Sequence, residues 1–178
     1  MNTQEMIKRY RIALKLDEHG QPTDTLVVYR ADKSALAAIK AAKPEIVATL
    51  LAQRDAGIRS QRERQEKINA IPGLREIEAA RADLEEWRLE FNASFDGEGG
   101  GGVGVRPKPK YDMAAMYAKY PRAKAYLTAQ DYANSENDAK SAAGRKALEA
   151  IINGEDYKLA ISAMETEWND HVANHIWN

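Results

Sequence analysis

The segment from Asp96 to Lys110 constrains this chain most, because six of its eleven glycines fall between Gly97 and Gly104. Glycine loses more backbone freedom on ordering than any other residue, so this run is expected to be a flexible connector rather than a helix. Pro107 and Pro109 follow, with Lys108 between them, and a Pro-x-Pro stretch is stiff and extended. The run formally contains the dinucleotide fingerprint twice, from Gly97 to Gly102 and from Gly99 to Gly104. That fingerprint works only between a strand and a helix N-terminus, whose N–H groups meet the pyrophosphate. Here a helical pattern precedes it and prolines follow, and no Gly-Lys-Ser or Gly-Lys-Thr occurs, so a nucleotide site is set aside.

Ahead of the connector, apolar Tyr10, Ile12, Leu14 and Leu16 alternate with Arg9, Arg11, Ala13 and Lys15. After Asp17 to Pro22 comes Leu26-Val27-Val28-Tyr29, so the spacing predicts one β-hairpin, with no clear helix before it. Two strands are marginal alone and need a helix to cover their apolar face. Leu36, Ile39, Ile46, Val47, Leu50 and Leu51 supply helical spacing, with a break and restart at Lys43-Pro44. These residues form a ββαα unit over 1–56. From Arg59 to Lys67 the chain is polar on every side, which reads as a solvated helical arm. Beyond Pro72-Gly73, Leu74, Ile77, Ala80, Leu84, Trp87, Phe91 and Phe95 make one apolar stripe. A helical hairpin over 57–96, hinged at Pro72-Gly73, is the expected arrangement.

After the 97–110 linker, residues 111–178 read as a small helical domain. Met113, Met116 and Tyr117 mark one helix, ended at Tyr120-Pro121. Ala123 to Ala129 mark a second and Ala139 to Ile152 a third, with Asn153-Gly154 as its cap. The last carries Tyr157, Ile161, Met164, Trp168, Val172 and Ile176 on one face, with Trp177 beyond. The fold class is therefore α+β, mainly α.

Chemistry-bearing motifs are sparse. With 44% hydrophobic and 30% charged residues and a mean hydropathy of −0.61, the chain is too apolar for disorder and too charged for a membrane protein. The absence of cysteine removes disulfides, thiolate metal sites and a cysteine nucleophile, and a cytoplasmic location is expected. His171 and His175 stand at metal-chelating spacing but lack a His-Glu-x-x-His context, so they read as packed or interface histidines and no metal or cofactor is expected. None of the serines has an elbow motif around it, and the paired carboxylates fall on helix surfaces, so an enzyme is not expected.

Charge segregation says more. Arg106, Lys108, Lys110, Lys119, Arg122 and Lys124 stand against Asp112 alone, and six acids from Glu149 to Asp170 stand against Lys158. These opposed runs either pair with each other or leave the basic one for a nucleic-acid backbone. Tyr111, Tyr117, Tyr120 and Tyr126 interleave with the bases as stacking platforms would, although tyrosines at helical spacing are more often core. Aromatic residues concentrate on two helices, so part of the stripe is expected to face a partner protein or a second copy of the chain.

The order of hairpin, Leu36 to Lys43 and Glu45 to Leu51 resembles the small N-terminal docking domains of the TubC type, which bind partner peptides and can dimerise. The stretches Lys119 to Leu127, Ala143 to Leu148, Trp168 to Trp177 and Ile71-Pro72-Gly73-Leu74 resemble uncharacterised small proteins of Firmicutes prophages and mobile elements. That resemblance spans most of 68–178. It implies a phage-type role, since such loci include anti-CRISPR and other anti-defence inhibitors. The expectation is a non-enzymatic protein that occludes a bacterial partner such as a CRISPR effector nuclease, the alternative being a nucleic-acid-binding accessory protein. Trp87, Phe91 and Trp168 are the expected anchors, and Arg106, Lys108, Arg122 and Lys124 the expected steering charges.

Overall fold

The structure is a computed structural model that describes residues 2–93 and 109–176, with the side chains of 91–93 and 176 outside the description. The chain opens on a helix rather than on the hairpin. Helix α1 (Thr3–Tyr10) starts at a capping box, in which the Glu5 N–H donates to Asn2 Oδ1 at 2.8 Å and the Asn2 N–H donates to Glu5 Oε2 at 3.0 Å. The reading without a helix before the hairpin is thus corrected, and Tyr10 belongs to α1. Arg11 ends the helix in the left-handed region, at φ 49°, and turns the chain directly into a strand.

Strands β1 (Ile12–Leu16) and β2 (Pro22–Val28) pair antiparallel, with Ile12 opposite Val28, Leu14 opposite Leu26 and an irregularity before Leu16. Their turn is pinned by Asp17, whose Oδ1 accepts from the N–H groups of His19 and Gln21. Helix α2 (Lys33–Ala41) is N-capped by Asp32, and α3 (Lys43–Asn69) restarts with Pro44 in its first turn. Met6, Ile12, Ala35, Ile39 and Ile46 form the core between these elements.

Helix α3 runs unbroken through Gly57, where the polar arm begins, and residues 59–67 are exposed as the sequence implies. The composition changes at 56/57 without a change of backbone. The chain divides instead into two compact units, Met1–Glu63 and Arg64–Asn178.

In the second unit, the turn at Ala70 to Gly73 leads into α4 (Leu74–Ala93), followed by α5 (Met113–Lys119), α6 (Pro121–Ala133), α7 (Asp138–Ile152) and α8 (Tyr157–Ile176). The turn at Pro72-Gly73 is present, but the expected helical hairpin over 57–96 is corrected: α4 packs chiefly on α5 and α6 rather than back along α3. Gly73, at φ +74°, leaves room that the Tyr120 ring fills. The most extensive helix pair is α6 with α7, and Gly144 brings them together: a Cβ there would overlap the Ala133 nitrogen. Ser141 donates through Oγ to the Ala133 carbonyl at 2.6 Å, tying the same two helices. Ile77, Ala123, Ala129, Ile151 and Met164 sit at the centre of this core. Of the connector assigned to 97–110, residues 97–108 lie outside the described residues.

Candidate interaction surface

Helix α7 is held at both ends by its own sequence. The Asn137 side chain accepts from the Lys140 N–H at its start, and Gly154 takes a left-handed φ of 90° past its end. Asp156 then accepts from the Lys158 N–H and starts α8. Between the two helices lies an open groove of about 370 Å³. Small side chains at Ala143, Ala147 and Ala150 on α7 face Ala160 and Ala163 on α8, and Met164 forms the floor. Small residues leave space where larger ones would close the seam, so the groove follows from the sequence. Leu159 stands at its edge and is 70% exposed. Lys146 and Glu167 pair at 3.0 Å on the rim, and Glu155 and Asp156 add negative charge.

Trp168 continues the α8 side of this surface. Its ring is half-buried, stacks on His171 at 5.7 Å and lies under Lys140 at 5.5 Å, and the same ammonium sits 4.6 Å from the Tyr132 ring. His175 lies 4.0 Å from His171 and bonds back to the His171 carbonyl. The histidines thus belong to an aromatic tier, and the described residues contain no group of three or more candidate ligands that could hold a metal ion.

The other expected residues separate. Trp87 is half-buried on α4, whose partners are α5 and α6, whereas α8 packs on α7 and α6. The side chain of Phe91, and Arg106 and Lys108 entirely, lie outside the described residues. Arg122 is half-buried, and its Nη2 donates to the Ile151 carbonyl at 2.6 Å. Lys124 is exposed and lies over the Tyr117 ring at 5.7 Å.

Three of the four tyrosines of the basic run are structural. Tyr126 is buried, and Tyr117 and Tyr120 pack against the core. Burial raises the Tyr126 phenol above its ordinary pKa, helped by Glu78 and opposed by Arg64. Tyr117 accepts from Arg81 Nε at 2.9 Å, and Arg81 also pairs with Asp131 at 3.5 Å. Burial pulls the Arg81 guanidinium down, but Tyr117 and Asp131 outweigh it and leave its pKa raised.

The opposed charge runs do not pair with each other among the described residues. Glu149 meets Arg64 at 2.8 Å, Glu167 meets Lys146, and Lys110 meets Asp83 at 3.5 Å. Leu159 and the alanine groove were not singled out by sequence reasoning. Alanines 143, 147 and 150 at helical spacing, opposite 160 and 163, are the signal that would have found them. Comparison with protein-family models, with curated proteins and with solved structures yields no match to this chain.

Proposed function

We propose that this chain is a non-enzymatic macromolecule-binding protein that acts by stoichiometric occlusion, with a bacterial defence nuclease of the CRISPR-effector kind as its target. The observation that carries the binding reading is the α7–α8 groove, whose apolar floor and exposed Leu159 offer a concave, desolvatable seat within a charged rim. Trp168, beside it on α8, supplies the rigid amphipathic area that interface centres favour. The nuclease as target rests on the resemblance of residues 68–178 to mobile-element proteins. Binding to nucleic acid through the basic run is the weaker alternative, because Tyr117, Tyr120 and Tyr126, which stacking on bases would need exposed, pack into the core.

The test is retention of partners from a Firmicutes lysate on the tagged full chain, with and without nuclease treatment, alongside Leu159→Glu and Trp168→Ala. One nuclease held in stoichiometric amount after treatment, and released by Leu159→Glu, is the expected result. Retention that disappears on nuclease treatment, or that survives both substitutions, overturns it.

A further inference from the structure

A second recess, of about 290 Å³, lies where the last turn of α3 meets the C-terminal end of α7. Ile71 and Ile152 give it an apolar lining, and Lys67, Arg122 and Asn153 supply its polar side chains. No carboxylate is among its lining residues. The acid at the preceding turn of α7, Glu149, is engaged by Arg64 at 2.8 Å. Two cations therefore line one concavity with no opposing charge in it.

Helix C-termini normally answer such cations with free carbonyls, but here several of those carbonyls already have partners. The Ile151 carbonyl accepts from both Arg122 Nη2 and the Gly154 N–H, Ala150 accepts from Glu155, and Glu149 accepts from Asn153. On the α3 side, Glu66 and Ile68 accept from Ala70 and Ile71. The donors are in surplus. Guanidinium carries five N–H groups, and the structure gives Arg122 one hydrogen bond. Lys67 uses one donor on Asn153 Oδ1 at 3.0 Å, which leaves the Asn153 amide NH₂ as a further donor.

We infer that this recess is a binding site for a small oxyanion of phosphate type, held by Arg122 and Lys67 with the Asn153 amide. The bond to Ile151 fixes the guanidinium, so its remaining donors are pre-oriented for an oxyanion, and charge-assisted hydrogen bonds are the strong kind. The site is separate from the α7–α8 groove and stands or falls without it. Free phosphate and the phosphate of a nucleic-acid strand share this chemistry.

The experiment is titration of the full chain with inorganic phosphate at constant ionic strength, with chloride as the exchanged anion. It is followed calorimetrically and by thermal unfolding. Saturable binding with a rise in Tm is expected for the native chain. Lys67→Gln, on an exposed side chain, is expected to weaken it about tenfold while the circular dichroism spectrum is retained. Lys158→Gln, a control outside the recess, is expected to leave binding unchanged. Arg122→Lys keeps the charge but loses the fork, and is expected to weaken binding as well. A response no larger than that to chloride, or one that Lys67→Gln leaves unaltered, overturns the inference. A single-stranded oligonucleotide that displaces phosphate from the native chain, and itself binds less to Lys67→Gln, identifies a strand as the source. One that does not displace it identifies the free anion.

Discussion

Among the described residues, Met1–Glu63 closes over five buried apolar side chains, whereas Arg64–Asn178 closes over fifteen. The smaller unit is assembled from short elements, each fastened at its end by a side chain bonding the backbone: Asn2 and Glu5 on α1, Asp17 in the hairpin turn, Asp32 on α2. The larger unit has such caps as well, at Asp112, Asn137 and Asp156, but adds helices brought into close contact, as at Gly144 and Gly73. Small cores bury a lower fraction of their surface, so capping carries more weight in the first unit and packing in the second.

That contrast is open to direct attack. Ile151 and Ile46 are both 0% exposed, one in each unit. Truncating Ile151 to alanine is expected to cost about 4 kcal/mol, and Ile46→Ala about 3 kcal/mol. Hydrogen exchange resolved by element should lose protection in α6 and α7 for the former and in α1 and α2 for the latter. Loss in both places from either substitution would merge the two units. Gly144→Ala sharpens the packing half, since its Cβ would overlap backbone that cannot rotate away. About 3 kcal/mol of destabilisation is expected by urea unfolding, without a change in the exchange of the hairpin.

The smallest effect tests capping. The Ala35 N–H and then the Ser34 hydroxyl, bonding the Asp32 carboxylate, hold its pKa below the ordinary aspartate value. A carboxylate depressed on folding adds stability above its unfolded pKa and loses that contribution as pH falls through the folded value. Unfolding followed at pH 6 and at successively lower pH, down to about 2, should therefore show a fall at the acid end that Asp32→Asn flattens. Equal acid sensitivity in both proteins would remove capping by Asp32 as a support of the first unit.

Much of the larger unit was legible because its signals are local. Pro121 opens α6, Asn153-Gly154 closes α7, and of the stripe that begins at Leu74 the first three residues, Leu74, Ile77 and Ala80, are buried while Leu84 and Trp87 are half-buried and the Phe91 and Phe95 side chains lie outside the described residues. Helix α1 was obscured by overlap of two patterns. Thr3, Met6, Ile7 and Tyr10 keep helical spacing, yet Tyr10 also alternates correctly with Ile12, and only the left-handed turn at Arg11 separates the two. Gly57 shows the converse, since a change from apolar to polar composition marks exposure rather than a helix end. The candidate surfaces were less legible still. The charge of Arg122 is plain in the sequence, but its bond to a carbonyl 29 residues away is set by tertiary structure alone. Trp168 could be named, whereas Lys140 and Tyr132 join it only once α6, α7 and α8 are assembled.

The close approach at Gly144 also bears on how quickly order can be established. Helices α6 and α7 are joined by residues 134–137 alone, and Ser141 reaches the Ala133 carbonyl across only eight positions of chain. Bringing such near neighbours together sacrifices little loop entropy before the first contacts form, whereas α4 must meet α5 and α6 across the whole glycine-rich segment. This close joint is thus among the cheapest to close, and a residue with no side chain sits at its centre.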